Sequence, residues 1–100
     1  MVKHIILWNL RDELSAVEKN AVKKGIKEGL EGLSGKIEGL IDIKVITDGL
    51  SSSTAELMLD SSFESEAALK HYASHPLHQE VANTKIRPYT STRSCLDFEV

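Results

Sequence analysis

The sequence predicts one small α+β domain, built β-α-β-β-α-β with a broken second helix, whose sheet needs a second copy of the chain to cover it. Three observations predict it. Apolar residues recur with a period of two in four segments, as strands require. Two intervening stretches carry a helical stripe and start on helix-capping residues. The first and third strands are apolar on both faces, although the helices between the strands can cover only one.

Val2 to Leu10 reads as the first strand, with Ile5 and Leu7 pointing one way and Ile6 and Trp8 the other. Ser15-Ala16-Val17-Glu18 is a capping box, in which serine and glutamate side chains satisfy free backbone donors. The helix that follows places Val22, Ile26, Gly29 or Leu30, and Leu33 on one stripe, and Gly32 and Gly35 supply the stop. Lys36 to Thr47 is the second strand, where Ile41, Ile43 and Val45 alternate with Asp42 and Lys44. After the turn at Asp48-Gly49 and three serines, Thr54 to Ser62 is the third. Ser65 caps a second helix through Ala67, Ala68, Leu69 and Tyr72. Pro76 cannot lie inside a helix, so that helix stops and a short one begins with Pro76 in its first turn and runs toward Pro88. Ser91 to Val100 is the last strand, with Leu96, Phe98 and Val100 on one face and Cys95, Asp97 and Glu99 on the other.

This order is the split βαβ pattern of ferredoxin-like domains, here one domain over residues 1–100. One layer of helices leaves one apolar sheet face bare, and a second subunit's sheet is the expected cover. The expected assembly is therefore a homodimer, a dimeric α/β barrel.

Composition excludes some functions. Twelve Lys and Arg against fifteen Asp and Glu give a net charge of −3, which argues against nucleic-acid and anionic-membrane partners. Lys19, Lys23, Lys24 and Lys27 interleave with Glu18, Glu28 and Glu31 and read as a solvated helix face. No apolar run approaches the roughly 20 residues of a membrane span. No signal-peptide pattern is present, so the expected location is cytoplasmic. Cys95 is the one cysteine, which rules out an internal disulfide; it reads as a small half-buried strand residue.

The chain resembles the stress-responsive dimeric α/β barrel (Dabb) family. The matching pieces are Val2-Lys3-His4-Ile5-Ile6-Leu7, Phe63-Glu64-Ser65, Tyr72-Ala73-Ser74-His75-Pro76-Leu77-His78, Ile86-Arg87-Pro88 and Leu96-Asp97-Phe98-Glu99. The Tyr-x-x-His-Pro-x-His segment with the early histidine is the most specific part. The resemblance implies a homodimer and a cavity between sheet and helices in each subunit. Members include plant stress proteins and a plant polyketide cyclase, and many have no assigned activity. Carried over from the cyclase, His78 is the candidate base, Tyr72 the oxyanion partner and His4 a pocket residue; Ile6, Trp8, Leu59 and His75 are the candidate ligand contacts. Imidazole near neutral pH can move a proton, and a phenol can steady an oxyanion.

Each candidate has a structural alternative. His75, just before Pro76, can cap the next helix; His4 can hydrogen-bond His78 or Tyr72 in the core; Tyr72 and His78 can form a clasp across the helix break. A metal site from His4, His75 and His78 would need three imidazoles converging on one point, so no metal and no cofactor is expected. Trp8 shares its face with His4 and Ile6, and its indole would fill much of a cavity there. Ser61 puts a small polar group where an apolar wall is expected, and the first helix has no aromatic residue. These features point away from a long acyl substrate and toward a smaller one. The expected function is binding of a small carbonyl or phenolic ligand near Tyr72 and His78, with cyclase- or lyase-type chemistry in view. The alternatives are a non-catalytic dimeric stress-associated or regulatory module, and a cofactor-free monooxygenase of the wider dimeric barrel group.

Overall fold

A computed structural model describes all 100 residues. The elements run β1 (Val2–Leu10), α1 (Ala16–Glu31), β2 (Leu40–Ile46), β3 (Leu57–Phe63), α2 (Glu66–Ser74), α3 (Pro76–Val81) with a π-helical continuation over Ala82–Ile86, and β4 (Thr90–Glu99). The strands form one antiparallel sheet in the order β2-β3-β1-β4, the ferredoxin-like α+β arrangement.

Local chemistry starts the helices where the sequence says. The Ser15 hydroxyl accepts from Glu18 N at 3.1 Å, and the Glu18 carboxylate accepts from Ser15 N at 2.9 Å. Ser65 accepts from Ala68 N at 3.1 Å and starts α2, and Pro76 stands at the first turn of α3. The helical stripe of α1 buries Ile26 and Leu30 fully, with Leu33 buried just past the helix end.

Two strands are shorter than their patterns suggested. β2 begins at Leu40 rather than Lys36, because Gly35 and Gly39 take φ of +77° and +87° and hold residues 36–39 in a turn that buries Ile37. Gly39 is doubly required, since a Cβ there would lie 2.5 Å from that of Ala68 on α2. β3 begins at Leu57 rather than Thr54.

The sheet's two faces follow the alternation of β1, while β3 buries Ser61, Ser62 and Phe63 in a row. Val2, His4, Ile6, Trp8 and Leu10 of β1 are buried under the helices. They join Leu57, Leu59 and Phe63 of β3 and Ile43 and Val45 of β2 in one core with α1. On the opposite face Leu7, Ile46, Leu96 and Phe98 are exposed, around an ion pair between Lys3 and Asp60. No helix is long and apolar enough to cross a membrane.

The basic face of α1 does more than meet solvent. Lys27 Nζ bonds Glu31 at 2.8 Å and donates to the Val45 carbonyl at 2.7 Å, while the Glu31 carboxylate accepts from Val45 N at 2.9 Å. This clip ties α1 to the outer edge of β2. Edge strand β4 has no such cover. All its residues except Thr90 are exposed, including Cys95, which the alternation suggested would be half-buried. The helices stop short of β4, so its helix-side residues line open grooves.

Candidate functional site

Between β1, β4 and the broken second helix lies a cleft of about 360 Å³. Its floor is Ile6 and Trp8 on β1. The helix side supplies Leu69, Tyr72, Ala73 and His78, and the far wall is Ala82, Ile86 and Arg87 with Thr90 and Arg93 of β4. His4 closes one end. The indole of Trp8, 3% exposed, forms part of this floor and leaves the cleft open above it.

The helix break sets the geometry. α2 ends where His75 takes an extended conformation, and the chain restarts at Pro76. Tyr72 sits in the last turn of α2 and His78 in the first turns of α3, which brings their rings to 4.3 Å between centroids. His78 donates from Nδ1 to the Ala73 carbonyl at 3.2 Å, since that oxygen can only accept. That bond places the ring proton on Nδ1 and leaves the Nε2 lone pair as a proton acceptor. Burial, opposed by the Ala73 bond and joined by the positive charges of Arg87, His4 and Arg93, holds the His78 pKa below the ordinary histidine value. The ring is therefore neutral at pH 7.

Tyr72 is 1% exposed, and its hydroxyl is the one buried side-chain polar atom in the chain without a hydrogen-bond partner. Burial pushes its pKa up, so the phenol stays protonated and available as a donor. Around it the rings of Phe63, His4 and His78 pack at centroid distances of 4.9, 6.3 and 4.3 Å.

His4 bonds neither His78 nor Tyr72. Its Nδ1 is in contact with the carboxylate of Asp97, its cross-strand neighbour on β4. The Cys95 sulfur lies 3.8 Å from the same nitrogen and 3.4 Å from the Asp97 carboxylate. Burial and the Asp97 charge raise the Cys95 pKa, which keeps it a thiol. Thiol and carboxylate thus address one ring nitrogen, so the three do not form the relay of a cysteine nucleophile, in which opposite nitrogens are used. Buried Ser61 donates to the His4 carbonyl at 2.9 Å, which accounts for a small polar residue in this wall.

His4, Ile6, Trp8, Tyr72 and His78 thus converge on one cleft. Two other candidate contacts stand elsewhere. Leu59 is sealed in the core beneath, 1% exposed. His75 turns its Nδ1 to accept from Leu77 N at 3.1 Å and caps α3, so the three imidazoles do not meet at a point. Sequence reasoning missed Arg87, Arg93 and Asp97 as site neighbours. Arg93 and Asp97 follow from the sheet register, which sets them opposite Trp8 and His4; Arg87 follows from the π-helical turn, which the sequence pattern does not announce.

No curated protein matches the sequence. Among solved structures, a dimeric protein of unknown function and ferredoxin-like fold from Bacteroides fragilis is 33% identical, with a TM-score of 0.92 over 99% of this chain and 95% of that one. A hydroxynitrile lyase from Passiflora edulis is 18% identical, with a TM-score of 0.71 over 97% of this chain and 90% of that one. An antibiotic biosynthesis monooxygenase is 12% identical, with a TM-score of 0.76 over 100% and 98%. The last two show likeness of fold alone. The family model described as the stress responsive A/B barrel domain matches residues 2–100. With that match and the Bacteroides relative on either side of the same fold, this chain belongs to the stress responsive A/B barrel (Dabb) family.

Proposed function

We propose that this chain binds a small carbonyl or phenolic compound in the cleft between Tyr72 and His78. The observation that carries the reading is the Tyr72 hydroxyl. An unpaired buried hydroxyl costs on the order of 1–3 kcal/mol, a cost that a ligand oxygen accepting from it would remove. The neighbouring His78 Nε2 supplies a neutral proton acceptor. Together they suit a reaction in which a proton leaves the carbon beside a carbonyl for His78. The electron pair then moves onto the carbonyl oxygen, and Tyr72 donates to the resulting enolate. His4, Ile6 and Trp8 shape the pocket. A lyase or cyclase step is the chemistry this pair serves best. The likeness to a monooxygenase is one of fold, and no residue of the cleft adds to it.

The test is a thermal-shift screen of small carbonyl and phenolic compounds on wild type, Tyr72→Phe and His78→Ala. A ligand at 100 times its dissociation constant adds about 2.7 kcal/mol of stability. The expected result is a shift in the wild type that both substitutions abolish while the unliganded proteins stay folded, with Tyr72→Phe at least as stable as wild type. If nothing in the panel binds and His78→Ala unfolds the protein, the pair is a structural clasp and the reading fails.

A second reading, a dimeric module that works through its assembly, is favoured by the bare sheet face. Leu7, Ile46, Leu96 and Phe98 form an apolar surface of the kind that marks an interface. The Bacteroides relative is described as dimeric. We propose that two copies pair through this face. Leu7→Glu places a carboxylate in it, and sedimentation velocity is expected to show a monomer that keeps the wild-type circular dichroism. A variant that remains dimeric removes this face from the interface.

A further inference from the structure

The cleft's charges narrow the ligand further than its shape does. The chain is acidic, with a net charge of −3, yet no Asp or Glu lines the cleft, whereas two arginines do. Arg11, Arg87 and Arg93 are the only arginines in the chain. Arg11 pairs with Glu13 on the surface at 3.7 Å. Arg87 and Arg93 take part in no ion pair. Both unpaired guanidinium groups therefore border the same pocket, beside the proton acceptor and the orphan phenol.

Arg87 is also oriented. Its Nη1 donates to the Gln79 side-chain carbonyl at 3.4 Å and to that of Asn83. Both partners are neutral amides, so they hold the guanidinium without cancelling its charge. Arg93 lies on β4 opposite Trp8 of the cleft floor. Asp97 is engaged by His4 and lines the adjoining groove, which Arg93 also borders, but not this cleft. The lowered pKa of His78 accords with the placement, since both arginines contribute to it. A low-dielectric cleft lined by one sign of charge concentrates the opposite sign. The planar fork of a guanidinium matches a carboxylate with paired hydrogen bonds.

We propose that the ligand is a carboxylic acid as well as a carbonyl compound, a small oxo acid with an apolar body. Arg87 and Arg93 hold its carboxylate, and Tyr72 receives its keto oxygen. The apolar part lies on Ile6, Trp8 and Leu69. This rests on the reading of the cleft as a carbonyl site and adds the substrate class to it.

The test compares acids with their neutral esters. Pyruvate, acetoacetate and phenylpyruvate, each paired with its methyl ester, are titrated calorimetrically into wild type and into Arg87→Gln/Arg93→Gln. Both arginines are exposed, so the double variant is expected to unfold at the wild-type temperature. The expected result is at least one acid bound tenfold or more tighter than its ester by the wild type. In the double variant that ratio falls toward one while ester binding is unchanged. An ester that binds as tightly as its acid in the wild type overturns the carboxylate and leaves the carbonyl reading standing. Tighter binding of phenyl phosphate than of phenylpyruvate reassigns the arginines to phosphate and overturns it likewise. Failure of every acid and ester to bind the wild type overturns the carbonyl reading and this inference with it.

Discussion

The two edges of the sheet are finished in opposite ways. At β2, Lys27 and Glu31 of α1 close over the Val45 backbone, and Val45 itself is fully buried beside Ile26 and Leu30. At β4, the helix-side residues Arg93, Cys95, Asp97 and Glu99 are all exposed. The same alternation of side chains that fills a dry core at one edge lines open grooves at the other. The difference lies in the roof. One unbroken helix of 16 residues covers the β2 side. Toward the β4 side the layer consists of helices of 9 and 6 residues, parted at His75-Pro76, which stop short of that strand. Interrupting the second helix sacrifices packing, and it brings Tyr72 and His78 together. On the proposed reading, stability and ligand binding sit at different ends of one layer.

Cutting a leucine from each end should give the largest difference between them. Leu30 is fully enclosed, and Leu30→Ala is expected to cost about 2–5 kcal/mol, since the removed methyls leave a cavity the core cannot close. Leu69 is half-buried and borders the cleft. Leu69→Ala is expected to cost about 1 kcal/mol, because its partly solvated side chain gives up only part of its transfer energy. Urea denaturation of both variants decides the matter. Equal losses would mean that the β4 end is as much a part of the core as the β2 end.

How much of this could be read from the sequence differs along the same axis. The strands, the serine caps of both helices and the helix break at Pro76 rest on short-range rules, and all are found. The start of β2 does not follow from its pattern, because the positive φ of Gly39 answers to Ala68, a contact 29 residues away along the chain. At the site, the histidines and Tyr72 stood out through the Tyr-x-x-His-Pro-x-His segment. The arginines did not, because their meaning depends on having no partner, and that is a property of the folded surface. Nor could alternation alone show that Cys95 is exposed. It tells which face a residue takes, and only the length of the neighbouring helices tells whether that face is covered.

A smaller effect distinguishes the two ends through pH. The β2 end carries no histidine, so titration near neutrality should report on the β4 end. His78 has a folded-state pKa below its ordinary value of 6.5, first through burial and then through neighbouring positive charge, against the pull of the Ala73 bond. Between those two pKa values the unfolded chain binds a proton at this position that the folded chain refuses. Stability therefore rises with pH across that window and falls as pH drops below about 6.5, levelling once the folded ring also protonates. Above pH 7.5 the term vanishes. Urea midpoints of wild type and His78→Gln at pH 7.5 and 5.5 separate this contribution from that of the other histidines. The wild type is expected to lose more stability on acidification than the variant, by less than the Leu30→Ala loss. Proton abstraction by His78 should fail only below the folded pKa, where protonation fills the Nε2 lone pair. If the two proteins lose the same stability, the His78 ring is hydrated in the folded state. The cleft would then be too wet for burial and its two arginines to hold the base neutral below pH 6.5.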